Sequence, residues 1–125
     1  MTMRFIKGSP EDAVKNISKR LLSVLSSGQP LLWLTSGGSD IPIQKAVMDN
    51  LPDDLTTILT IMPVDERVVP YNHADSNTTQ LRRAGFNPKH AEWIDILEED
   101  LSPSETINLY KDCLARRLLL TPIFL

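Results

Sequence analysis

Leu31-Leu32-Trp33-Leu34-Thr35-Ser36-Gly37-Gly38-Ser39-Asp40-Ile41-Pro42 is the stretch on which the fold turns. Its first four residues are wholly apolar and lie between Pro30 and the Gly37-Gly38 pair, the pattern of a strand buried on both faces. Ser39-Asp40-Ile41-Pro42 then reads as a helix start, followed by apolar positions Ile43, Ala46, Val47 and Leu51. Upstream, Ser9 before Pro10, Glu11 and Asp12 supplies a hydroxyl N-cap, a proline in the first turn and acids at the positive end of the helix dipole. The stripe Ala13, Ile17, Leu21, Val24 and Leu25 continues that helix, and Gly28 closes it. Downstream, β-branched and apolar residues 56–64 predict a second interior strand, residues 77–84 a short helix ended by Gly85, and Trp93-Ile94-Asp95-Ile96 a third strand. Ser102-Pro103-Ser104-Glu105 is a capping box opening a helix with Ile107, Tyr110, Leu114 and Leu118 on one face. Residues 121–125 read either as the first residues of another strand or as a frayed apolar tail. Alternating strands and helices, with crossovers too long for hairpins, predict one α/β domain over residues 1–125 with a parallel sheet covered on both faces.

Composition narrows the function. The chain has 125 residues with 13 Lys and Arg against 16 Asp and Glu, a net charge of -3 and no basic stripe, which argues against a nucleic-acid partner. Cys113 is the sole cysteine, so an intramolecular disulfide and a cysteine-based zinc cluster are both excluded; it reads as a small buried hydrophobe. No apolar run approaches the roughly 18 residues of a bilayer span, and no leader pattern opens the chain. A cytoplasmic protein without a membrane partner is expected. H-E-x-x-H, C-x-x-C and Asp-rich calcium loops are absent from the sequence, so neither a metal nor another cofactor is expected.

Two segments carry candidate chemistry. At Gly37-Gly38-Ser39, glycines allow a tight turn and close approach of the backbone to a ligand, and the helix start behind them suits a phosphate. The same pair also fits a turn of purely geometric purpose. The second segment is Asp65-Glu66-Arg67-Val68-Val69-Pro70, at the carboxyl end of an interior strand, followed by Asp75-Ser76-Asn77. A carboxylate there can move a proton and an arginine can hold an anion in its fork, while an exposed loop with an Asp-Arg pair fits equally. His73 and His90 read as solvated loop histidines.

Taken together, Leu34-Thr35-Ser36-Gly37-Gly38-Ser39, Asp65-Glu66-Arg67-x-Val69-Pro70 and Ser76-Asn77 resemble the glucosamine-6-phosphate isomerase/6-phosphogluconolactonase family, on its lactonase branch. Arg67, where related deaminases have tyrosine, and the Ser76-Asn77 pair favour that branch over an isomerase or deaminase. The resemblance implies a Rossmann-like three-layer αβα fold with a mostly parallel sheet, shared with ribose-5-phosphate isomerases and CoA transferases. It implies hydrolysis of 6-phosphoglucono-lactone to 6-phosphogluconate in the pentose phosphate pathway, without metal or organic cofactor. Carried over by position, Asp65 and Glu66 are the candidate catalytic carboxylates. Gly37, Gly38, Ser39, Arg67, Ser76 and Asn77 are the candidate substrate- and phosphate-binding residues.

Two departures from the family pattern stand out. Asp40-Ile41 replaces the usual Thr-Pro after Gly-Gly-Ser, and a carboxylate there would repel a phosphate. The family's later Asp-Gly-His segment, to which water activation is assigned, has no counterpart in these residues. The resemblance therefore describes the amino-terminal half of a lactonase domain, truncated and inactive alone. Its expected partners are a sugar phosphate and either a complementary carboxy-terminal half or a second copy at the open sheet edge. A non-catalytic sugar-phosphate sensor is the alternative from a different class.

Overall fold

The computed structural model describes residues 9–64, 66, 69, 71–97, 102–117 and 121–124. Among the described residues, four α-helices and four strands alternate: α1 (Pro10–Ser26), β1 (Leu31–Thr35), α2 (Ile41–Asp49), β2 (Leu59–Pro63), α3 (Asn77–Arg83), β3 (Glu92–Trp93), α4 (Pro103–Arg117) and β4 (Thr121–Phe124). The strands form one sheet in the order β3-β2-β1-β4, and every neighbouring pair is parallel.

The starts of α1 and α4 have a local chemical cause. Ser9 Oγ accepts from the Asp12 amide at 3.2 Å, and Asp12 Oδ2 accepts from the Ser9 amide, so two otherwise unpaired donors are satisfied at the head of α1. Ser102 and Glu105 repeat the exchange at α4, with both bonds at 3.2 Å. Gly28 follows α1 at φ +80°, where a side chain would be strained.

The sheet separates two apolar clusters, as side-chain alternation along β1 and β2 requires. Leu31, Trp33, Leu59 and Ile61 face α1 and α2, packing with Leu21, Leu25, Val47, Met48, Leu51, Leu81 and Phe86. Leu32, Leu34 and Met62 face the other way, against Ile96, Ile94, Val64 and Tyr110 of α4. Helices thus cover both faces of a parallel sheet, the Rossmann-like αβα arrangement that the motifs implied. The first cluster holds an aromatic trio, with Phe86 5.8 Å from Trp33 and 5.1 Å from Trp93 between ring centroids.

Three elements differ from the sequence-based expectation. Residues 56–58 belong to a 3-10 helix, Asp53–Ile58, and β2 starts only at Leu59. Thr56 and Thr57 turn their hydroxyls back onto the carbonyls of Asp53 and Asp54, at 2.7 and 3.1 Å, which satisfies local backbone outside a ladder. The third strand pairs only at Glu92–Trp93. Asp95 Oδ1 accepts from the Leu97 amide and turns the chain away, so Ile94 and Ile96 pack beneath α4. Finally, a 3-10 turn at Gly38–Asp40 leads into α2, and its innermost residues are Gln44, Val47 and Met48. Val47 and Leu51 of the expected stripe are buried and Ile43 is half-buried against the same cluster, while Gln44 and Met48 join the buried face.

Residues 121–124 do form a strand, pairing Leu31↔Thr121 through Leu34↔Phe124. The side chains of Cys113 and Leu114, and residue Leu118, lie outside the described residues. Among the described residues, no helix is long and apolar enough to cross a membrane.

Candidate functional site

Parallel pairing puts the carboxyl ends of β1 and β2 at one edge of the sheet, with Thr35 opposite Pro63. The sheet order adds a second constraint. After β1 the chain builds β2 and β3 on one side, then returns to the other side of β1 to lay down β4. The turn following β1 therefore stands where the winding reverses, the position at which open α/β sheets leave a crevice for ligands.

The two tips are held together by bonds between neighbouring elements. The Val64 amide donates to the Thr35 carbonyl at 2.8 Å, and the Tyr110 hydroxyl of α4 donates to the Val64 carbonyl at 2.6 Å. Beyond Val64, Glu66 turns its carboxylate onto the start of α3. Oε1 accepts from the Asn77 amide at 2.6 Å, and Oε2 from the Ser76 hydroxyl at 3.0 Å and the Thr78 amide at 3.1 Å. A carboxylate at a helix N-terminus is favoured by the unpaired amides and by the dipole. Ser76, fully buried, also accepts from the Thr79 amide at 3.1 Å as the N-cap of α3. Its hydroxyl thus donates one bond and accepts another within the protein.

Gly37 and Gly38 serve different purposes. A Cβ at Gly37 would collide with the Asn77 carboxamide, lying 2.8 Å from its Cγ, so only glycine lets the turn after β1 approach α3 this closely. Gly38 has open space around it but sits at φ +71°, a backbone conformation that disfavours other residues. Ser39 is exposed at the same turn. Structure thus brings Gly37, Gly38, Ser39, Glu66, Ser76 and Asn77 to one edge, while Asp65 and Arg67 lie outside the described residues.

Asp40 stands at the N-cap position of α2, but its side chain makes no cap bond. Its Oδ2 accepts from Ser36 Oγ at 3.2 Å. His73 and His90 are exposed; His73 Nδ1 accepts from the Asp75 amide at 3.0 Å. Among the described residues, no group of three or more His, Cys, Asp or Glu is arranged to hold a metal ion.

Sequence reasoning missed Gln44. This fully buried side chain meets both backbone groups of Ser36, with Oε1 accepting from the amide at 2.9 Å and Nε2 donating to the carbonyl at 2.6 Å. The available signal was spacing: Val47, Met48 and Leu51 stand three, four and seven residues after Gln44, marking it as part of an inward stripe.

Comparison with known proteins agrees with this geometry. The family described as glucosamine-6-phosphate isomerases/6-phosphogluconolactonase matches residues 8–124. A Neisseria gonorrhoeae protein assigned as a 6-phosphogluconolactonase superposes with TM-score 0.66 at 26% identity, covering 87% of this chain and 52% of that one. The Trypanosoma brucei 6-phosphogluconolactonase, at 15% identity and TM-score 0.60, covers 90% and 48%, a likeness of fold. The chain thus spans about half the length of these solved structures. A glutamate 5-kinase from Prochlorococcus marinus is 28% identical over 93 residues, 66% of this chain but only 25% of that protein.

Proposed function

Because this chain belongs to the glucosamine-6-phosphate isomerases/6-phosphogluconolactonase family, we propose that it forms the phosphate-and-sugar half of a lactonase site. The reaction proposed for the whole site is hydrolysis of 6-phosphoglucono-lactone to 6-phosphogluconate, a step of the pentose phosphate pathway in the cytoplasm. The observation that supports it most is the contact of Gly37 with Asn77, whose amide is bound by Glu66, at the winding reversal. Three segments far apart in sequence meet there, and they are the segments that carry the family motifs.

Lactone hydrolysis requires a water made nucleophilic, donors for the developing oxyanion and a grip on the distal phosphate. Gly37, Gly38 and Ser39 offer turn backbone and a hydroxyl to the sugar phosphate. Arg67 offers a fork for its anion, and Asp65 a carboxylate to the reacting end. Glu66 and Ser76 act by holding α3 against the turn, and Asn77 fills the gap beside Gly37. Arg67 and the Ser76-Asn77 pair favour a lactonase over an isomerase or deaminase.

One observation favours binding without turnover: both carboxylate oxygens of Glu66 are engaged by α3, leaving Asp65 as the site's candidate base. A carboxylate of ordinary pKa, about 4, is a weak base for water. We therefore expect the 125-residue chain to bind 6-phosphogluconate in calorimetric titration but to hydrolyse freshly generated lactone no faster than its spontaneous rate. Lack of saturable binding would refute the sugar-phosphate reading. Turnover well above the spontaneous rate and abolished by Asp65→Asn would show these residues sufficient for catalysis.

A further inference from the structure

Gln44 is a buried primary amide that spends both its functions on a single residue of the site turn. With Oε1 bonded to the Ser36 amide and Nε2 to the Ser36 carbonyl, it makes the two-bond exchange that a neighbouring strand makes with one residue of a ladder. The position is telling. Thr35, one residue earlier, still belongs to the sheet, its carbonyl bonded to Val64. On the other side of β1, the register with β4 runs to Leu34↔Phe124. Ser36 is therefore the first residue past the ladder with β2, at the reversal of the winding, and its backbone pair is taken by a helix side chain rather than by a strand.

We propose that Gln44 is a positioning residue: its carboxamide closes the backbone of Ser36 to further strand pairing and sets the turn of residues 36–39 at the ligand crevice. A Ser36 backbone left unpaired would have a free donor and acceptor beside strand edges, and the cost of burying them would favour extending the sheet into the crevice. Held by Gln44, the chain departs at Ser36, and Gly37 and Gly38 follow with the geometry that admits Asn77. Ser36 Oγ fastens the other side of the turn by donating to Asp40. The proposal deepens the sugar-phosphate reading and rests on it only for the identity of the ligand.

Amide hydrogen exchange and 6-phosphogluconate titration, both followed by NMR on the full chain, test it with two substitutions. Gln44→Leu keeps the bulk and removes both bonds. Exchange at the Ser36 amide should then accelerate about tenfold relative to that of Trp33, at the centre of β1. Gln44→Glu keeps an acceptor but lacks the donor while ionised, and regains it as the protonated acid. Burial raises the pKa of a carboxyl there, and the Asp40 carboxylate on the same residue pushes in that direction; Lys45 and Asp49, next on α2, pair with each other at 3.1 Å. The Ser36 amide keeps its acceptor in this variant at every pH, whereas the Ser36 carbonyl should lose its donor at about pH 8 and regain it at about pH 5, read as a reversible shift of its carbonyl carbon resonance that a merely space-filling role does not produce. Affinity for 6-phosphogluconate should fall about tenfold wherever Ser36 loses either bond. Unchanged Ser36 exchange in Gln44→Leu overturns the proposal, as does affinity indifferent to that exchange. Where Gln44→Leu does not fold, the pH reversal in Gln44→Glu decides. A wild-type chain that binds no 6-phosphogluconate defeats the ligand assignment, and the exchange results still judge Gln44.

Discussion

Gly37→Ala puts the closest contact of the site to a direct test. The added methyl would stand 2.8 Å from Asn77 Cγ and 3.3 Å from Asn77 Cβ. It would also overlap Asn77 Oδ1, the nearest atom, so reaching the 3.4 Å of ordinary contact means a retreat of about 1 Å, in packing that does not yield freely. Turning the carboxamide relieves only its own overlap, because Asn77 Cβ stays with a backbone whose amide gives a 2.6 Å bond to Glu66 at the start of α3. Overpacking of this kind costs about 1–3 kcal/mol, and displacing Asn77 would also loosen the Glu66 clamp. Gly38→Ala is the matched control: its methyl meets nothing within 4 Å, so it carries only the backbone penalty of φ +71°, about 1 kcal/mol. Urea unfolding followed by far-ultraviolet circular dichroism should rank Gly37→Ala below Gly38→Ala. The NMR shifts of the Asn77 and Thr78 amides should move in the first variant and stay in the second. Affinity for 6-phosphogluconate should drop about tenfold, or about 1.4 kcal/mol, in Gly37→Ala. A Gly37→Ala protein as stable as Gly38→Ala, with unmoved Asn77 and Thr78 amides, would refute the close-approach argument.

Glu66→Gln replaces an acceptor of three bonds by a group with one acceptor oxygen and no charge, so a loss of about 2–3 kcal/mol is expected in urea unfolding; a loss under about 0.5 kcal/mol would mean that α3 does not depend on the clamp. Lys89 is mostly buried, its Nζ donating to the Leu51 carbonyl and pairing with Asp53 at 3.6 Å, so Lys89→Met should lower stability by about 1–2 kcal/mol in the same assay. The Glu105 carboxyl is held below its usual 4.5 by the Ser102 hydroxyl first and the Ser102 amide second. Because the folded-state pKa is the lower one, the contribution is complete above pH 4.5 and is lost as pH falls through the folded value. Protection of the amides at the head of α4, taken relative to their intrinsic exchange rates, should accordingly fall on acidification below that point and stay constant there in Glu105→Gln.

Much of the architecture was legible because its causes are local. The capping boxes at Ser9 and Ser102 are written within four residues, and the apolar run at Leu31–Leu34 can be satisfied only between two covered faces. The short helix at Asn77 was likewise anticipated, ended by Gly85. What escaped depended on partners remote in sequence or on a competing local bond. Thr56 and Thr57 look like strand residues until their hydroxyls are seen to satisfy Asp53 and Asp54. Glu66 reads as a free acid because its donors lie ten to twelve residues ahead, in a helix whose placement depends on the whole sheet. Gln44 was passed over because it is the polar member of a face read from apolar residues, Val47 and Leu51 among them, and its partner is the backbone of Ser36 eight residues back.

The aromatic trio has a practical consequence. Trp33 and Trp93 both touch Phe86 on the side of the sheet that carries α1 and α2, and the Arg82 guanidinium lies 5.7 Å over the Trp93 ring. Indole emission therefore watches one layer of the molecule. It will report the collapse of that layer faithfully, whereas rearrangements beneath Tyr110 will pass almost without colour change.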